Sequence, residues 1–380
     1  LELFWALDVK VAVLTTDVSR VSKYLAKCFH DKCDEIEIYQ IERRHITNFE
    51  KNLSKRDGLI ADFLKSCFAF KDFLDVRNSI YSNKIKGQTF IFFLWLDTYL
   101  SKRLPSFWVD LILPHDFAGL YFHPSRNMPR ISRDQRTRDL PFFIPTLKSK
   151  KLRFVGVFDE KIEICLSDLY KRDIFKTIPD VAETFPPQFD DRLIDAIIVH
   201  AKGRNIISLI GSLDKRKNLL TFFRTAKESN GDLLFICAGK FYPEWFSVSE
   251  LEEIQAITSL CKDRLFFYDD YIDSDVVFDS LVSISSILFA AYINFPSSSN
   301  MIYKAALHNI PIIVSGDHLM GEQVRDFELG AALDTVTPQA ILAAIPSLLA
   351  PNKSYGFDRF LETHSHENLK TKLSQLLQSF

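Results

Sequence analysis

Residues 286–325 read SILFAAYINFPSSSNMIYKAALHNIPIIVSGDHLMGEQVR, and the fold turns on how this stretch is read. The apolar run from Ile287 to Ile293 has the length and makeup of a buried strand. A small polar loop follows, Pro296-Ser297-Ser298-Ser299-Asn300, and Met301 to Asn309 then predicts a helix of two turns. Asn309 and Pro311 supply its stop signal. Ile310 to Val314 is a second short buried strand, closed by Ser315-Gly316-Asp317. Strand, loop, helix, strand places backbone N–H groups and the positive end of a helix at the carboxyl edge of a parallel sheet. That edge suits a phosphate or another anion.

Outward from this stretch the same alternation recurs. Lys10 to Thr16 predicts a strand, followed by a helix from Ser19, its expected N-cap, to Phe29. Glu35 to Ile41 alternates like a strand, and 48–82 reads mostly as helix. Buried strands are expected at Thr89–Leu96, Gly119–His123 and Phe154–Phe158, the last closed by Asp159-Glu160 before a helix. Pro186-Pro187 and mixed charge over 184–204 suggest a hinge. Beyond it, strands are expected at Ile206–Ile210, Leu233–Ala238 and Arg264–Tyr268, with helices at 219–229 and Asp275–Ser283. The tail, 354–380, looks helical. Strands alternating with helices imply α/β architecture with doubly wound parallel sheets.

Composition narrows the class. A chain of 380 residues has room for two domains. A net charge of −2 with 25% charged residues gives no overall nucleic-acid signature. The six cysteines (Cys28, Cys33, Cys67, Cys165, Cys237 and Cys261) form no CxxC pair. Free buried thiols are the expectation for Cys165 and Cys237, with a reducing, cytoplasmic compartment. No apolar run reaches the roughly 18 residues of a spanning helix. No divalent metal is expected. The chain opens at Leu1 rather than methionine, which allows for a missing native start, and that opening does not resemble a signal peptide.

The carboxyl-terminal half resembles the group 1 (family 4) glycosyltransferases. The matching residues are Lys304-Ala305-Ala306, Asn309-Ile310-Pro311, Ile312-Ile313-Val314-Ser315 and Gly321-Glu322, with Gly211 to Asn218 similar to the family's Gly-Arg-x-x-x-x-Lys-Gly loop. Ile178-Pro179-Asp180 is similar to the strand end that precedes the family's linker. Where the family's helix carries two glutamates, this chain has Pro296 and Lys304; where it has the loop arginine, Ser212. The resemblance implies the GT-B fold, two Rossmann-like doubly wound domains facing a cleft. The boundaries expected are 1–184 for an acceptor domain, 185–350 for a nucleotide-sugar domain, and 351–380 for a helix crossing back to the first. No Gly-rich loop follows the first strand, where Thr15-Thr16-Asp17 stand instead. The implied activity is a hexosyltransferase-like transfer from a nucleotide-sugar to a saccharide or lipid-linked acceptor, with retention, in envelope or polysaccharide biosynthesis.

The candidate site residues follow from the same match. Lys217 falls on the family lysine that faces the diphosphate, and fixed cations there would lower the barrier to its departure; the other reading makes Lys215, Arg216 and Lys217 a solvated turn. Ser212 belongs to the same loop. Ser297, Ser298, Ser299, Asn300 and Met301 could present amides and hydroxyls to the diphosphate, while Ser299 or Asn300 would cap the helix in any case. Lys304 replaces a glutamate that accepts from ribose hydroxyls, which a lysine cannot do. It either supplies the cation absent at Ser212 or points to solvent. His123, at a strand tip, is placed to hydrogen-bond a sugar hydroxyl or share a developing charge. The basic stretch 126–153 could meet an anionic membrane surface or be a solvated loop. Two other classes stay open: a non-catalytic GT-B-like binding or scaffold protein, and a nucleotide-processing epimerase of similar architecture, for which no paired carboxylates and histidines stand in the right places.

Overall fold

The computed structural model describes residues 12–15, 17–28, 36–41, 59–85, 89–101, 104–124 and 143–378. They form two compact units, the first made of the described residues up to Ile178 and from Lys370 onward, the second of Pro179–Leu369.

In the first unit the order is β1 (Ala12–Thr15), α1 (Val18–Cys28), β2 (Glu37–Gln40), α2 (Leu59–Ser82), β3 (Phe90–Phe93), α3 (Ser106–Ile112), β4 (Asp116–Leu120), β5 (Leu152–Val157), α4 (Glu160–Tyr170) and β6 (Phe175–Thr177). Among the described residues, β1 pairs with β2, and β3-β4-β5-β6 form a four-stranded sheet, every pair parallel. Phe73, Val76 and Ile80 of α2 pack on Phe93, Phe117, Val155 and Phe175 of the strands. Two sequence expectations shift here. Ser19 lies inside the first turn of α1 and is not its N-cap. The strand expected over Gly119–His123 runs instead over Asp116–Leu120. The carboxylate of Asp97 takes the N–H groups of Phe122 and His123 at 2.9 and 2.8 Å, so this part of the chain leaves the ladder.

The second unit continues with α5 (Arg192–Ala201), β7 (Asn205–Ile210), α6 (Leu219–Glu228), β8 (Leu233–Ala238), α7 (Val248–Leu260), β9 (Leu265–Tyr268), α8 (Asp275–Ser283), β10 (Ile287–Ala290), α9 (Asn300–Leu307), β11 (Ile312–Ser315), α10 (His318–Asp326), β12 (Gly330–Leu333), α11 (Pro338–Leu348) and α12 (Phe357–Thr363). Last comes α13 (His366–Leu377), whose residues from Lys370 belong to the first unit. The strand order is β12-β11-β10-β7-β8-β9, all parallel. Alternate residues of each strand feed two cores. Ile206, Leu234, Ile236, Leu288 and Ile312 meet α5, α8, α9, α10 and α12 on one face. Ile207, Leu209, Phe235, Phe289 and Ile313 meet α6, α7 and α11 on the other. Burial on both faces is why these strands read as unbroken apolar runs.

The stretch expected to be a hinge contains α5, because Ile194, Ile197 and Ala201 form a buried stripe at helical spacing. The passage between units falls at Ile178–Pro179 rather than near residue 185. The reason is local: Phe185 N–H donates to Asp279 Oδ2 at 2.7 Å, which already ties 183–185 to the second unit.

At the carboxyl ends of β7 and β8 the backbone closes tightly. Gly239 has φ +140°, and a Cβ there would lie 1.9 Å from the carbonyl oxygen of Gly211. Gly239→Ala is therefore expected to destabilise the second unit by about 3 kcal/mol or more. A thermal or urea melt should show this directly.

Candidate functional site

The first and fourth strands of the second unit, β7 and β10, lie side by side. On one side of this pair the sheet runs on to β8 and β9, on the other to β11 and β12. That reversal leaves a crevice beyond the carboxyl ends of β7 and β10, where open α/β sheets bind ligands. The loops after these two strands meet there. Ile293 N–H donates to Arg216 O at 2.8 Å, and Asn218 Nδ2 donates to Ala291 O at 3.2 Å. The β7 loop makes this turn through a short 3₁₀ segment, Lys215–Lys217, and Asn218 in the left-handed region at φ 59°.

Lys217 is buried, with 8% of its surface exposed. Its Nζ donates to Tyr292 Oη at 2.8 Å and to Ile210 O at 3.3 Å, and it lies 4.5 Å from the centre of the Tyr292 ring. Both acceptors are neutral, and an ammonium has three donors. No carboxylate forms an ion pair with it among the described residues. A buried charge without a counter-charge is costly, and an anion bound at this crevice would offset that cost. The solvated-turn reading therefore holds for Lys215, not for Lys217. Lys215 reaches Glu250 at 2.6 Å, and its hydrogen bond is the main cause of a Glu250 carboxyl held down at about 2. Arg216 lies over the rings of Tyr292 and Phe295, at 5.6 and 5.0 Å. Ser212 follows Gly211 on this same loop, at the end of β7.

The Ser297–Asn300 loop leads into α9. Ser299 is the N-cap, accepting from Met301 N–H at 3.4 Å, so the capping reading is correct for Ser299. The hydroxyl of Ser298 bonds the carboxyl of Asp180, whose pKa is raised by burial. Ser297 stands before the cap, and Asn300 opens the helix and lines a cavity. Met301 sends its side chain into the core.

Lys304 does not point to solvent. It is 6% exposed, and its Nζ pairs with the carboxylate of Asp279, a residue with no exposed surface, while also donating to Glu183 O at 2.9 Å. Asp279 in turn accepts from Phe185 N–H. The pair thus clamps 183–185 onto α8 and α9. Its charge is spent on Asp279, so Lys304 is not a spare cation for a phosphate. A cavity of about 380 Å³ opens beside it, lined among others by Glu183, Phe185, Asp275, Phe278 and Asn300.

His123 belongs to the first unit, three residues past β4, with Nδ1 3.4 Å from Asp97 Oδ1. Of the basic stretch, residues 126–142 lie outside the described ones. Its described part is engaged locally: Lys148 sits over Phe143 at 4.8 Å, Lys151 Nζ donates to Leu113 O at 2.5 Å, and Arg153 pairs with Asp116. Among the described residues no group of histidine, cysteine and carboxylate side chains could hold a metal ion, and no helix is long and apolar enough to cross a membrane. Cys237 and Cys261 are buried free thiols and Cys165 is half-buried; burial pushes the thiols of Cys165 and Cys237 upward.

Sequence reasoning missed Tyr292, Asp279 and Asp97. Tyr292 was absorbed into an apolar run. Asp279 did leave a signal, an acid within the otherwise apolar helix DVVFDSLVS.

Removing one partner of a buried ion pair leaves the other uncompensated. Lys304→Met is expected to cost about 3–5 kcal/mol, and adding Asp279→Asn should restore part of it, read as urea midpoints. Near this pair, burial is the main cause that pushes His308 below its ordinary value of 6.5, with Asp279 opposing and Lys304 reinforcing. A depressed pKa means the unfolded chain binds the proton first. This contribution to stability is present above pH 6.5 and is lost as pH falls through the depressed value. His308→Gln should flatten that loss in melts between about pH 6.5 and 5.

No family model matches the chain, and no curated protein matches it. Solved structures do. Sucrose-phosphate synthase from Thermosynechococcus elongatus is 17% identical over 100% of this chain and 90% of its own, with a TM-score of 0.64. Anabaena HepE, in complex with UDP and glucose, is 9% identical over 100% and 94%, at 0.63. An α,α-trehalose 6-phosphate synthase from Burkholderia multivorans is 8% identical over 97% and 98%, at 0.66. These are GT-B folds, and the chain shares their architecture of Rossmann-like α/β units.

Proposed function

We propose that the chain is a glycosyltransferase that takes a sugar from a nucleoside-diphosphate donor held on the second unit. The observation that carries this is the buried ammonium of Lys217, set at the carboxyl ends of β7 and β10 with only neutral acceptors. As the bond from the sugar carbon to the diphosphate breaks, charge gathers on the leaving oxygens. A fixed, poorly solvated cation stabilises that charge more than it stabilises the intact donor. Arg216, held over Tyr292 and Phe295 and 3.4 Å from the carboxylate of Asp214, is a further cation on the same loop. The acceptor, a saccharide or a lipid-linked sugar, falls to the first unit, where His123 is the polar group for a sugar hydroxyl. Retention of configuration comes from the family resemblance. The structures of similar fold include one described with UDP and glucose and another named as a trehalose-phosphate synthase, which supports a nucleotide-sugar as the donor class.

One observation favours a second reading, a binding protein without transfer. Lys304 stands where the family places its ribose-binding glutamate, and it is locked to Asp279. Under the transferase reading, Glu183 and Asp275 supply the carboxylates of the adjoining cavity.

The test is a set of thermal melts with UDP, GDP, ADP and dTDP on the protein and on Lys217→Ala. A ligand at about 100 times its dissociation constant adds roughly 2.7 kcal/mol. We expect one nucleotide to raise the melting temperature of the protein and to leave the variant at its own unliganded value. No shift with any of the four at millimolar concentration, or an equal shift in the variant, would remove the donor site.

A further inference from the structure

The carboxyl edge of the four-stranded sheet in the first unit carries a row of aromatic rings. Trp95 stands in the turn after β3, Phe122 just after β4 and Phe158 just after β5. Trp95 and Phe122 are stacked, with ring centres 4.4 Å apart and planes at 12°. Phe122 meets Phe158 at 4.9 Å. The row is fixed from below by Asp97, whose carboxylate holds the backbone of Phe122 and His123 by two N–H bonds. Despite this support, Trp95 leaves 46% of its surface exposed. Burying that ring would have been favourable; here it is instead backed by a second ring and presented at the edge where parallel α/β sheets bind ligands.

We propose that Trp95, backed by Phe122, is a stacking platform for a saccharide ring. A pyranose presents axial C–H groups on its faces and a rim of hydroxyls, so it suits a flat apolar surface with polar groups at its border. Trp95 supplies the surface. The border is supplied by His123, whose ring centre is 5.4 Å from that of Trp95, and by the Asp97–His123 contact. A ring already stacked loses little freedom when a ligand settles on it, which favours binding. The platform stands on the first unit alone. Only the choice of a sugar over another flat ligand rests on the proposed transferase function.

Saturation-transfer NMR tests the platform, with methyl α-D-glucopyranoside, maltose and cellobiose as probes and adenosine as a flat aromatic comparison. We expect transfer to the ring C–H signals of at least one sugar. It should fall by about fivefold or more in Trp95→Ala and Trp95→Gln, as loss of one stacking contact implies, and largely survive in Trp95→Tyr. Two removals of an exposed ring guard against one that fails to fold. Lys217→Ala should keep the sugar signal, and Trp95→Ala should keep any nucleotide shift, so the platform and the donor site fail independently. Absence of transfer to all three sugars, equal transfer in both removal variants, or transfer to adenosine alone would overturn the proposal.

Discussion

A buried ammonium facing neutral acceptors is the constraint around which the second unit makes sense. Lys217 can hold that position only because the sheet reverses its winding between β7 and β10 and because the two following loops are hydrogen-bonded to each other. On the other side of β7 the backbone after β8 comes so close to Gly211 that Gly239 tolerates no side chain. The tyrosine that accepts from the lysine, Tyr292, also supplies the ring on which Arg216 lies. Electrostatics, packing and topology therefore converge on one crevice.

The second buried lysine shows how different a similar side chain becomes in another setting. Lys304 has a full counter-charge in Asp279 and a carbonyl partner in Glu183. Its charge is satisfied within the fold, and the pair joins the segment after Ile178 to α8 and α9. Two lysines, both nearly inaccessible, thus divide into one that holds the chain together and one whose charge has no opposite among the described residues. Burial alone does not make a lysine a ligand-binding residue; the identity of its acceptors does.

Much of the fold was legible in the sequence. The runs at Leu233–Ala238 and Asp275–Ser283 gave their elements to the residue. The Pro-Ser loop and α9 fell within one or two positions. Such elements are specified locally, by apolar runs, cap residues and stop signals. The misreadings had a common cause. Residues 184–204 read as a hinge because prolines and charges outweighed a three-residue stripe, Ile194, Ile197 and Ala201, that becomes evident only once it is buried. His123 was placed at the end of a strand because nothing nearby in the chain revealed that Asp97 would draw its backbone out of the ladder.

What the sequence determined by itself is the alternation of strands and helices, the doubly wound class and the position of Lys217 on a strand-end loop. All of these depend on residues within a few positions of one another. What only the tertiary structure decided is whom each site residue meets: Lys217 with Tyr292 across 75 positions, Lys304 with Asp279 across 25, and Asp97 with His123 across 26. Those meetings follow from strand order and from the loops that close over it. A chain read one segment at a time carries the chemistry of each side chain but not the neighbour that will accept its proton or balance its charge.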